Sequence, residues 1–366
     1  MGPSIAARRS ALTPVLVAAL IVTAAVLSTP AAPAAGRGQA QRSRTPAGEF
    51  RALTYNVAGL PAALSGSEPD VNTELISPRL NDYDLVLVQE SWINPDPPIP
   101  GLEVFHEVLV SQVTHPYLSK PAPPPLESDP RRPEALVSDG LNRMSRFPFG
   151  ELTRVMWHNC FGGADTNDGG AGDCVSQKGF SMARTTVAPG VEVDVYNLHG
   201  EAGNTALDQE YRAAGFAQLA EFIAGQSAGR AVIVGGDFNL NTDRTVDREV
   251  FDTFLAATGL TDVCAVVDCG DDADRIDKSV FRNGDGVTIQ PLSHRFERDT
   301  FRRDDGAPLS DHDPLAVTFA WTGVAAGGPP IVPPADAADD IPASRPGGAR
   351  VAPPAQPVVA NPRFTG

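Results

Sequence analysis

The chain has 366 residues, a formal net charge of −16 and 42% hydrophobic residues, among them 16 phenylalanines. This length is compatible with one large α/β domain or two ordinary ones, and the apolar content is sufficient for a sizeable core. The acidic balance disfavours a protein that grips long nucleic acid through its phosphates, because lysine and arginine normally dominate such surfaces. A local basic groove within an acidic whole is still compatible with this charge.

The N-terminus is typical of an export signal. Arg8 and Arg9 precede an apolar run of 16 residues at positions 11–26, and Ala32-Pro33-Ala34 matches a small-residue cleavage site. The run is short for a membrane span of ~20 residues. We therefore expect residues 1–35 to be a signal peptide and the mature protein to be secreted, with no integral membrane segment. The arginine pair leaves the export route open.

Composition sets the expected boundaries of the folded part. Residues 36–48 are polar and rich in arginine, which predicts a disordered lead-in. Residues 322–366 consist largely of alanine, proline and glycine, which predicts a flexible, disordered tail. The folded region is therefore expected at residues 49–321, where we find no internal repeat.

The four cysteines allow three pairings into two disulfides. Nearness in sequence favours Cys160 with Cys174 and Cys264 with Cys269, each closing a polar loop. A zinc site is the alternative. The spacings lack CxxC pairs and the expected compartment is oxidising, so disulfides are favoured.

Four short aliphatic runs each lead into polar residues. They are residues 50–55 before Asn56, residues 84–88 before Gln89-Glu90, residues 191–196 before Asn197-Leu198-His199, and residues 231–234 before Gly235-Gly236-Asp237-Phe238-Asn239. Such continuous apolar runs are typical of strands covered on both faces in a layered α/β fold. Polar residues at strand ends gather at one edge of a sheet, the usual place for a site in such folds.

Helices are predicted between these strands. Thr205 and Asp208 resemble a capping box with aspartate in place of glutamate, and apolar residues at mostly helical spacing follow until Gly225 offers a stop. A second, shorter helix is predicted at residues 250–257, before Gly259. Residues 94–133 are rich in proline and weakly periodic, which predicts irregular structure or a functional lid.

Oxygen and amide groups dominate the polar set at the strand ends. Its members are Asn56, Glu90, Asp237, Asn239 and Asp311, the last beside His312 in a turn that precedes an apolar run at residues 315–319. This set suits Mg²⁺, or Mn²⁺ or another divalent cation, with roughly six oxygens at ~2.1 Å. His199 and His312 add groups that donate hydrogen bonds to a phosphate or move protons. The chain has no cysteine or dense histidine grouping suited to a zinc hydrolase.

Seven motifs in this order resemble the endonuclease/exonuclease/phosphatase superfamily and span nearly the whole folded region. They are Thr54-Tyr55-Asn56-Val57, Gln89-Glu90, the segment from Gly140-Leu141 to Ser145-Arg146-Phe147-Pro148, Asn197-Leu198-His199, Gly236-Asp237-Phe238-Asn239, Arg275-Ile276-Asp277 and Ser310-Asp311-His312-Asp313-Pro314. The resemblance implies a four-layered α/β sandwich, with two mixed β-sheets packed face to face and helices outside. It also implies metal-dependent hydrolysis of a phosphate ester by direct attack of water.

The resemblance assigns the metal to three residues. Glu90 would be the main ligand, with Asn56 and Asp311 nearby in the metal shell.

The resemblance assigns the remaining chemistry to five catalytic residues. Asp237 would orient or deprotonate the attacking water, helped by Asn239. His199 would bind the phosphoryl oxygens. His312, paired with Asp277, would complete the acid–base or charge-stabilising set. The sequence departs from the family pattern at Lys278, where an aromatic residue usually follows the Ile-Asp pair, and this puts the assignment of Asp277 in doubt.

Two segments resemble the secreted neutral sphingomyelinase-like branch of the superfamily. Gln177-Lys178-Gly179-Phe180 contains its Lys-Gly step before a strand, and His115-Pro116-Tyr117 resembles its Pro-Tyr segment. An ordinary surface lysine is the alternative interpretation of Lys178. The acidic balance also suits a small headgroup better than a long polyanion. We therefore expect a phosphodiesterase that cleaves a phospholipid headgroup, acting as a monomer on a phosphate ester, with membrane phospholipid as its partner.

Two other functions are compatible with the same core. A secreted deoxyribonuclease would need a cationic groove, for which the dense arginines at 295, 298, 302 and 303 are candidates, although acids interleave them. A non-catalytic binding module on the same fold would need a missing metal or acid–base residue, and none is missing.

Overall fold

All four aliphatic runs predicted as strands form strands in the computed structural model, which describes residues 46–65, 67–94, 98–123, 131–163 and 169–323. The predicted signal peptide lies outside the described residues, as do nearly all of the predicted lead-in and tail. The strands are β1 (Ala47–Asn56), β2 (Leu85–Gln89), β3 (Tyr117–Leu118), β4 (Asn142–Ser145), β5 (Thr153–Met156), β6 (Gly179–Ala188), β7 (Val191–His199), β8 (Val232–Asp237), β9 (Thr261–Asp262), β10 (Asp277–Arg282), β11 (Thr288–Phe296) and β12 (Leu315–Thr322). The α-helices are α1 (Ala62–Ser65), α2 (Pro69–Arg79), α3 (His106–Val110), α4 (Ala206–Gln226) and α5 (Thr245–Thr258).

The strands form two six-stranded sheets of mixed direction. The first has the order β11-β12-β1-β2-β4-β3 and the second the order β5-β6-β7-β8-β10-β9. Only β1–β2 and β7–β8 are parallel pairs among the described strands. Each sheet therefore has a parallel centre, and helices or long loops supply the crossovers that parallel strands require.

Three apolar clusters define four layers. One lies between the sheets and joins Phe50 and Leu87 of the first sheet to Val195 and Ile233 of the second. Another packs the second sheet against α4 and α5, and a third packs the first sheet against α2. Burying an aliphatic or aromatic side chain contributes about 1.5–3 kcal/mol, so these clusters stabilise the stack. The predicted four-layered sandwich with outer helices is confirmed.

The two predicted helices are present, with different boundaries. Thr205 and Asp208 form the expected capping box at the start of α4. The helix continues one residue beyond Gly225. α5 ends at Thr258, and its C-cap is Gly259, whose φ of 66° suits glycine. It begins five residues earlier than predicted; its first turn is polar and Arg244 provides no side-chain cap, so nothing in the sequence marked this start.

The proline-rich segment at residues 94–133 is largely irregular where it is described, apart from α3 and β3. No helix among the described residues is long and apolar enough to cross a membrane.

Both disulfides favoured by sequence spacing are present. Cys160 is bonded to Cys174, with Cα atoms 5.2 Å apart, and Cys264 is bonded to Cys269, with Cα atoms 5.4 Å apart. His294 lies beside the second disulfide. Because the sulfurs of Cys264 and Cys269 are bonded to each other, these residues do not form the zinc site considered as the alternative.

Candidate active site

Strand register brings the predicted site residues to one edge of the sandwich. In the second sheet, His199 at the end of β7 is the partner of Asp237 at the end of β8, and Asp237 is the partner of Asp277 at the start of antiparallel β10. Directly paired residues present their side chains on the same face of a sheet. In the first sheet, Asn56 ends β1 opposite Gln89, which precedes Glu90.

Asp237 is the centre of this arrangement and is 1% exposed. Its Oδ2 lies 3.3 Å from His199 Nε2, 3.2 Å from Asn56 Nδ2 and 3.7 Å from His312 Nε2. Burial alone would raise the pKa of Asp237, but the charge of His312 and the hydrogen bond from His199 outweigh it and hold that pKa well below its usual range. The carboxylate is therefore ionised at neutral pH.

His312 is paired with Asp277, as the resemblance implied. Its Nδ1 lies 2.8 Å from Asp277 Oδ2, and Asp277 is 2% exposed. Burial lowers the pKa of His312, but the charges of Asp277 and Asp237 outweigh burial and raise that pKa well above its ordinary value. The imidazole is thus oriented at one nitrogen and able to donate a proton from the other.

Lys278, which departs from the family pattern, faces away from this pair. Its Nζ contacts Thr242 Oγ1 at 3.2 Å and lies 5.3 Å from the centroid of the Phe251 ring. Because successive side chains of a strand alternate between faces, the departure does not disturb the position of Asp277. Burial lowers the pKa of Lys278 to about 8.

Glu90 and Asn56 are bonded to each other at the edge of the first sheet, and Asn56 also reaches Asp237 of the second sheet. Glu90 has a φ of 60°, an uncommon conformation for this residue that is typical of functional positions. Asn56 Nδ2 donates to Glu90 Oε1 at 2.9 Å, while Asn56 Oδ1 accepts from the amide of Ala58 at 3.1 Å. In this orientation Asn56 offers the site a hydrogen-bond donor.

Asp311 lies at the exposed rim of the site, next to His312. Desolvation and the charge of Glu90, partly opposed by His312, raise the pKa of Asp311. Two carboxylates that repel each other in this way, both hard oxygen donors, are suited to a divalent cation. The donor chemistry of Glu90 and Asp311 therefore fits the expected ion. Asp237, Asp277 and His312, whose ligand atoms lie within 4.8 Å of one another, are a second group that could hold one.

Asn239 adopts a φ of 52° after the end of β8. Its amide N–H donates to Asp237 Oδ1 at 2.9 Å, and its side-chain Nδ2 donates to the carbonyl of Gly200 at 3.1 Å. These bonds link the loop after β8 to the loop after β7. Asn239 therefore fixes the backbone that carries Asp237.

A buried amide pair joins the sheets directly behind the site. Gln89 Nε2 donates to Asn197 Oδ1 at 2.6 Å, and Asn197 Nδ2 donates to the carbonyl of Val88 at 2.9 Å. Gln89 adjoins Glu90 and Asn197 is two residues before His199. The pair thus sets the spacing between the two halves of the site.

Lys178 is buried, so the interpretation as a surface lysine is wrong. Its Nζ forms an ion pair with Asp173, which is buried and also accepts from the amide of Ala202 at 3.0 Å. Burial lowers the pKa of Lys178, but Asp173, Glu90 and Asp237 outweigh it and raise that pKa. Lys178 therefore adds positive electrostatic potential to the site. Apart from its position next to Cys174, nothing in the sequence marked its partner Asp173 as a site residue.

A cavity of about 420 Å³ opens beside His312. It is lined by Asn241, Asp243, Asp271, Asp274, Arg275, Ile276, Asp277, Asp311 and His312. Three of these acids, at positions 243, 271 and 274, were not predicted to belong to the site.

The arginines considered for a nucleic-acid groove are engaged with other groups. Arg298 pairs with Asp272 and Asp313. Arg303 pairs with Glu68. Arg302 donates to the carbonyl of Gly306, and Arg295 lies 3.8 Å from Glu297. Among the described residues, these arginines do not form an unpaired cationic groove.

Curated protein sequences and solved structures resemble this chain, although no protein-family model matches it. The sphingomyelinases of Mycobacterium tuberculosis and Mycobacterium bovis are 35% identical to it over 292 residues, which is 76% of this chain and 54% of theirs. The chain therefore spans about half the length of the curated relatives it matches.

Two solved structures share the fold. An endonuclease/exonuclease/phosphatase from Beutenbergia cavernae is 18% identical, with a TM-score of 0.51 and coverage of 77% of this chain and 73% of that one. TDP2 from D. rerio, in complex with a single-stranded DNA product, is 14% identical, with a TM-score of 0.50 and coverage of 74% and 98%. At such identities the likeness concerns the fold alone.

Proposed function

The chain belongs to the endonuclease/exonuclease/phosphatase superfamily, and we propose on that basis that it is a secreted, divalent-metal-dependent phosphodiesterase that hydrolyses sphingomyelin. The observation that carries the proposal is the row of His199, Asp237 and Asp277 on three paired strands, with His312 held against it. This row lies in a chain that is 35% identical to mycobacterial sphingomyelinases.

Glu90 and Asp311 would hold the divalent cation, with Asn56 fixing the orientation of Glu90 through its amide. When bound, such an ion neutralises negative charge that develops on a phosphoryl oxygen. Mg²⁺ is the ion we propose, because the available donors are carboxylate oxygens.

The protein's own residues then have separate tasks. Asp237, ionised and fixed by Asn239, accepts a hydrogen bond from the attacking water, orients it, and takes up the proton that the water loses as its oxygen bonds to phosphorus. His199 Nε2 lies 3.3 Å from Asp237 Oδ2 and would share its N–H with a phosphoryl oxygen of the substrate. His312, protonated and held at Nδ1 by Asp277, gives its proton to the departing alkoxide oxygen. Lys178, which is buried and interacts with the charges of Glu90 and Asp237, adds positive electrostatic potential to the site.

A substrate panel tests this proposal. We expect the purified mature protein to release phosphocholine from sphingomyelin in mixed vesicles with Mg²⁺, and to act much more slowly on DNA, RNA and p-nitrophenyl phosphate. Cleavage of DNA at a higher kcat/KM than sphingomyelin would favour the nuclease instead. Failure on every substrate, with metal bound, would favour a non-catalytic binding module.

The Asp277→Asn variant tests the coupling of Asp277 to His312. Removing the carboxylate charge lowers the pKa of His312, since Asp277 is the largest favourable influence on its protonated form. If protonated His312 is the acid, the alkaline limb of the pH profile of kcat/KM moves to lower pH. The measurement is this profile for both proteins between pH 5 and pH 10.

The control for this variant is Asp252→Asn, which removes an exposed carboxylate on α5. Its profile should match that of the wild type. An alkaline limb unmoved in Asp277→Asn, at equal thermal stability, would show that His312 does not act as the proton donor.

A further inference from the structure

The cavity beside His312 has an unusual charge for a site that accepts a phosphate ester. Five of its nine lining residues are aspartates, at positions 243, 271, 274, 277 and 311, and one is an arginine. A phosphodiester carries negative charge, and like charges repel most strongly where water is partly excluded. An anion without a compensating cation would therefore be a poor occupant of this cavity.

The positive groups around the cavity are already engaged. Arg248 pairs with Asp274 at 2.9 Å. Arg275 pairs with Asp313, outside the lining, at 2.7 Å, and His312 pairs with Asp277.

Apart from Asp311, which is assigned above to the divalent cation, two of the lining acids are left without a counter-ion. Within the part of the chain that the structure describes, neither Asp243 nor Asp271 forms an ion pair, and both are exposed at the cavity mouth. Deeper on the same wall, Asp277 is 2% exposed and its Oδ1 has no hydrogen-bond partner among the described residues. The cavity therefore presents negative charge at its mouth and a buried carboxylate oxygen that receives no hydrogen bond from the part of the chain that the structure describes.

We infer that this cavity binds the alkylammonium end of a zwitterionic phosphodiester headgroup, with Asp243 and Asp271 attracting the cation while the phosphate lies at His312 and His199. The inference rests on the proposed function and adds the feature that selects the substrate. No phenylalanine, tyrosine or tryptophan is among the described lining residues, so recognition depends on charge and not on cation–π contact. The same acids repel a polyanion, which disfavours nucleic acid at this site.

The test compares two esters of the same shape. One is p-nitrophenylphosphorylcholine, and the other is p-nitrophenyl 3,3-dimethylbutyl phosphate, in which carbon replaces the charged nitrogen. We expect the wild type to prefer the choline ester in kcat/KM by about 10-fold, the effect of about 1.4 kcal/mol. The Asp243→Asn/Asp271→Asn double variant should lose most of this preference, while its kcat/KM for the 3,3-dimethylbutyl ester, which keeps the phosphate charge but has no cation, stays the same or rises. Asp252→Asn, which removes the same charge outside the cavity, should keep the preference.

Calorimetric titration with phosphocholine and with 3,3-dimethylbutyl phosphate separates failure of the inference from failure of the function. If both esters are cleaved at equal rates and the double variant changes nothing, the inference is wrong and the proposed function stands. If neither ester nor sphingomyelin is cleaved but phosphocholine binds preferentially and the double variant abolishes this, the function is wrong and the cavity assignment stands. Absence of both turnover and preferential binding overturns both.

Discussion

Replacing His312 by alanine is expected to reduce kcat/KM for sphingomyelin by 10²-fold or more, within the range of about 10²–10⁴ that general acid–base groups contribute. The imidazole is held at Nδ1 by Asp277 at 2.8 Å and approaches Asp237 with Nε2 at 3.7 Å. Alanine removes the proton donor and also leaves the buried Asp277 carboxylate without its partner. The measurement is steady-state kinetics alongside a thermal unfolding curve.

The unfolding curve matters because an unpaired buried carboxylate destabilises the fold by itself. His312→Gln keeps hydrogen-bonding groups near Asp277 but cannot carry the proton, so it should be nearly as slow as alanine with a smaller loss of stability. His158→Ala, at an exposed histidine two residues after the end of β5, should keep full activity. Near-normal turnover by folded His312→Ala would remove His312 from the mechanism.

Removal of divalent cations is expected to have the largest effect of all. We expect EDTA to abolish hydrolysis and Mg²⁺ in excess to restore it, because the described site offers Glu90 and Asp311 as carboxylate ligands for such an ion. Full activity in EDTA would contradict the assignment of a metal ion to this site.

A binding measurement distinguishes loss of the ion from loss of the fold. Glu90→Gln keeps the volume of the side chain and its acceptor for Asn56 but removes the charge, so we expect calorimetry to show Mg²⁺ affinity reduced at least 10-fold. Glu107→Gln, at the first turn of α3, is the matched control and should bind Mg²⁺ as the wild type does. Unchanged affinity in Glu90→Gln would move the ion to other ligands.

The sequence was sufficient to predict the layered fold and most of the strands because their apolar runs are continuous and end in polar residues. It could not predict that Lys178 is buried, since its neighbours along the chain are polar and the charges that act on it, on Glu90 and Asp237, come from distant strands. The start of α5 was missed because Arg244 provides no side-chain cap to mark it.

The candidate site shows the same division between local and long-range information. The pairing of His312 with Asp277 was anticipated through the family motifs, although Lys278 departed from them. The amide orientation of Asn56 was not anticipated, because it depends on the backbone N–H of Ala58 and on the carboxylate of Glu90, which follows another strand. Likewise, Asp243 and Asp271 stand in loops that look like ordinary solvated charge, and only the fold brings them to one cavity.

Because His199, Asp237 and Asp277 are direct partners on neighbouring strands, catalytic activity reports whether these strands are paired in the native register. A slip of one residue between neighbouring strands turns every side chain of the shifted strand to the opposite face. Such a slip in β8 would carry Asp237 away from both neighbours at once. A second sheet with β8 out of register therefore cannot retain a partial site, and recovery of turnover after denaturation should track the native pairing of β7, β8 and β10 more faithfully than the recovery of secondary structure does.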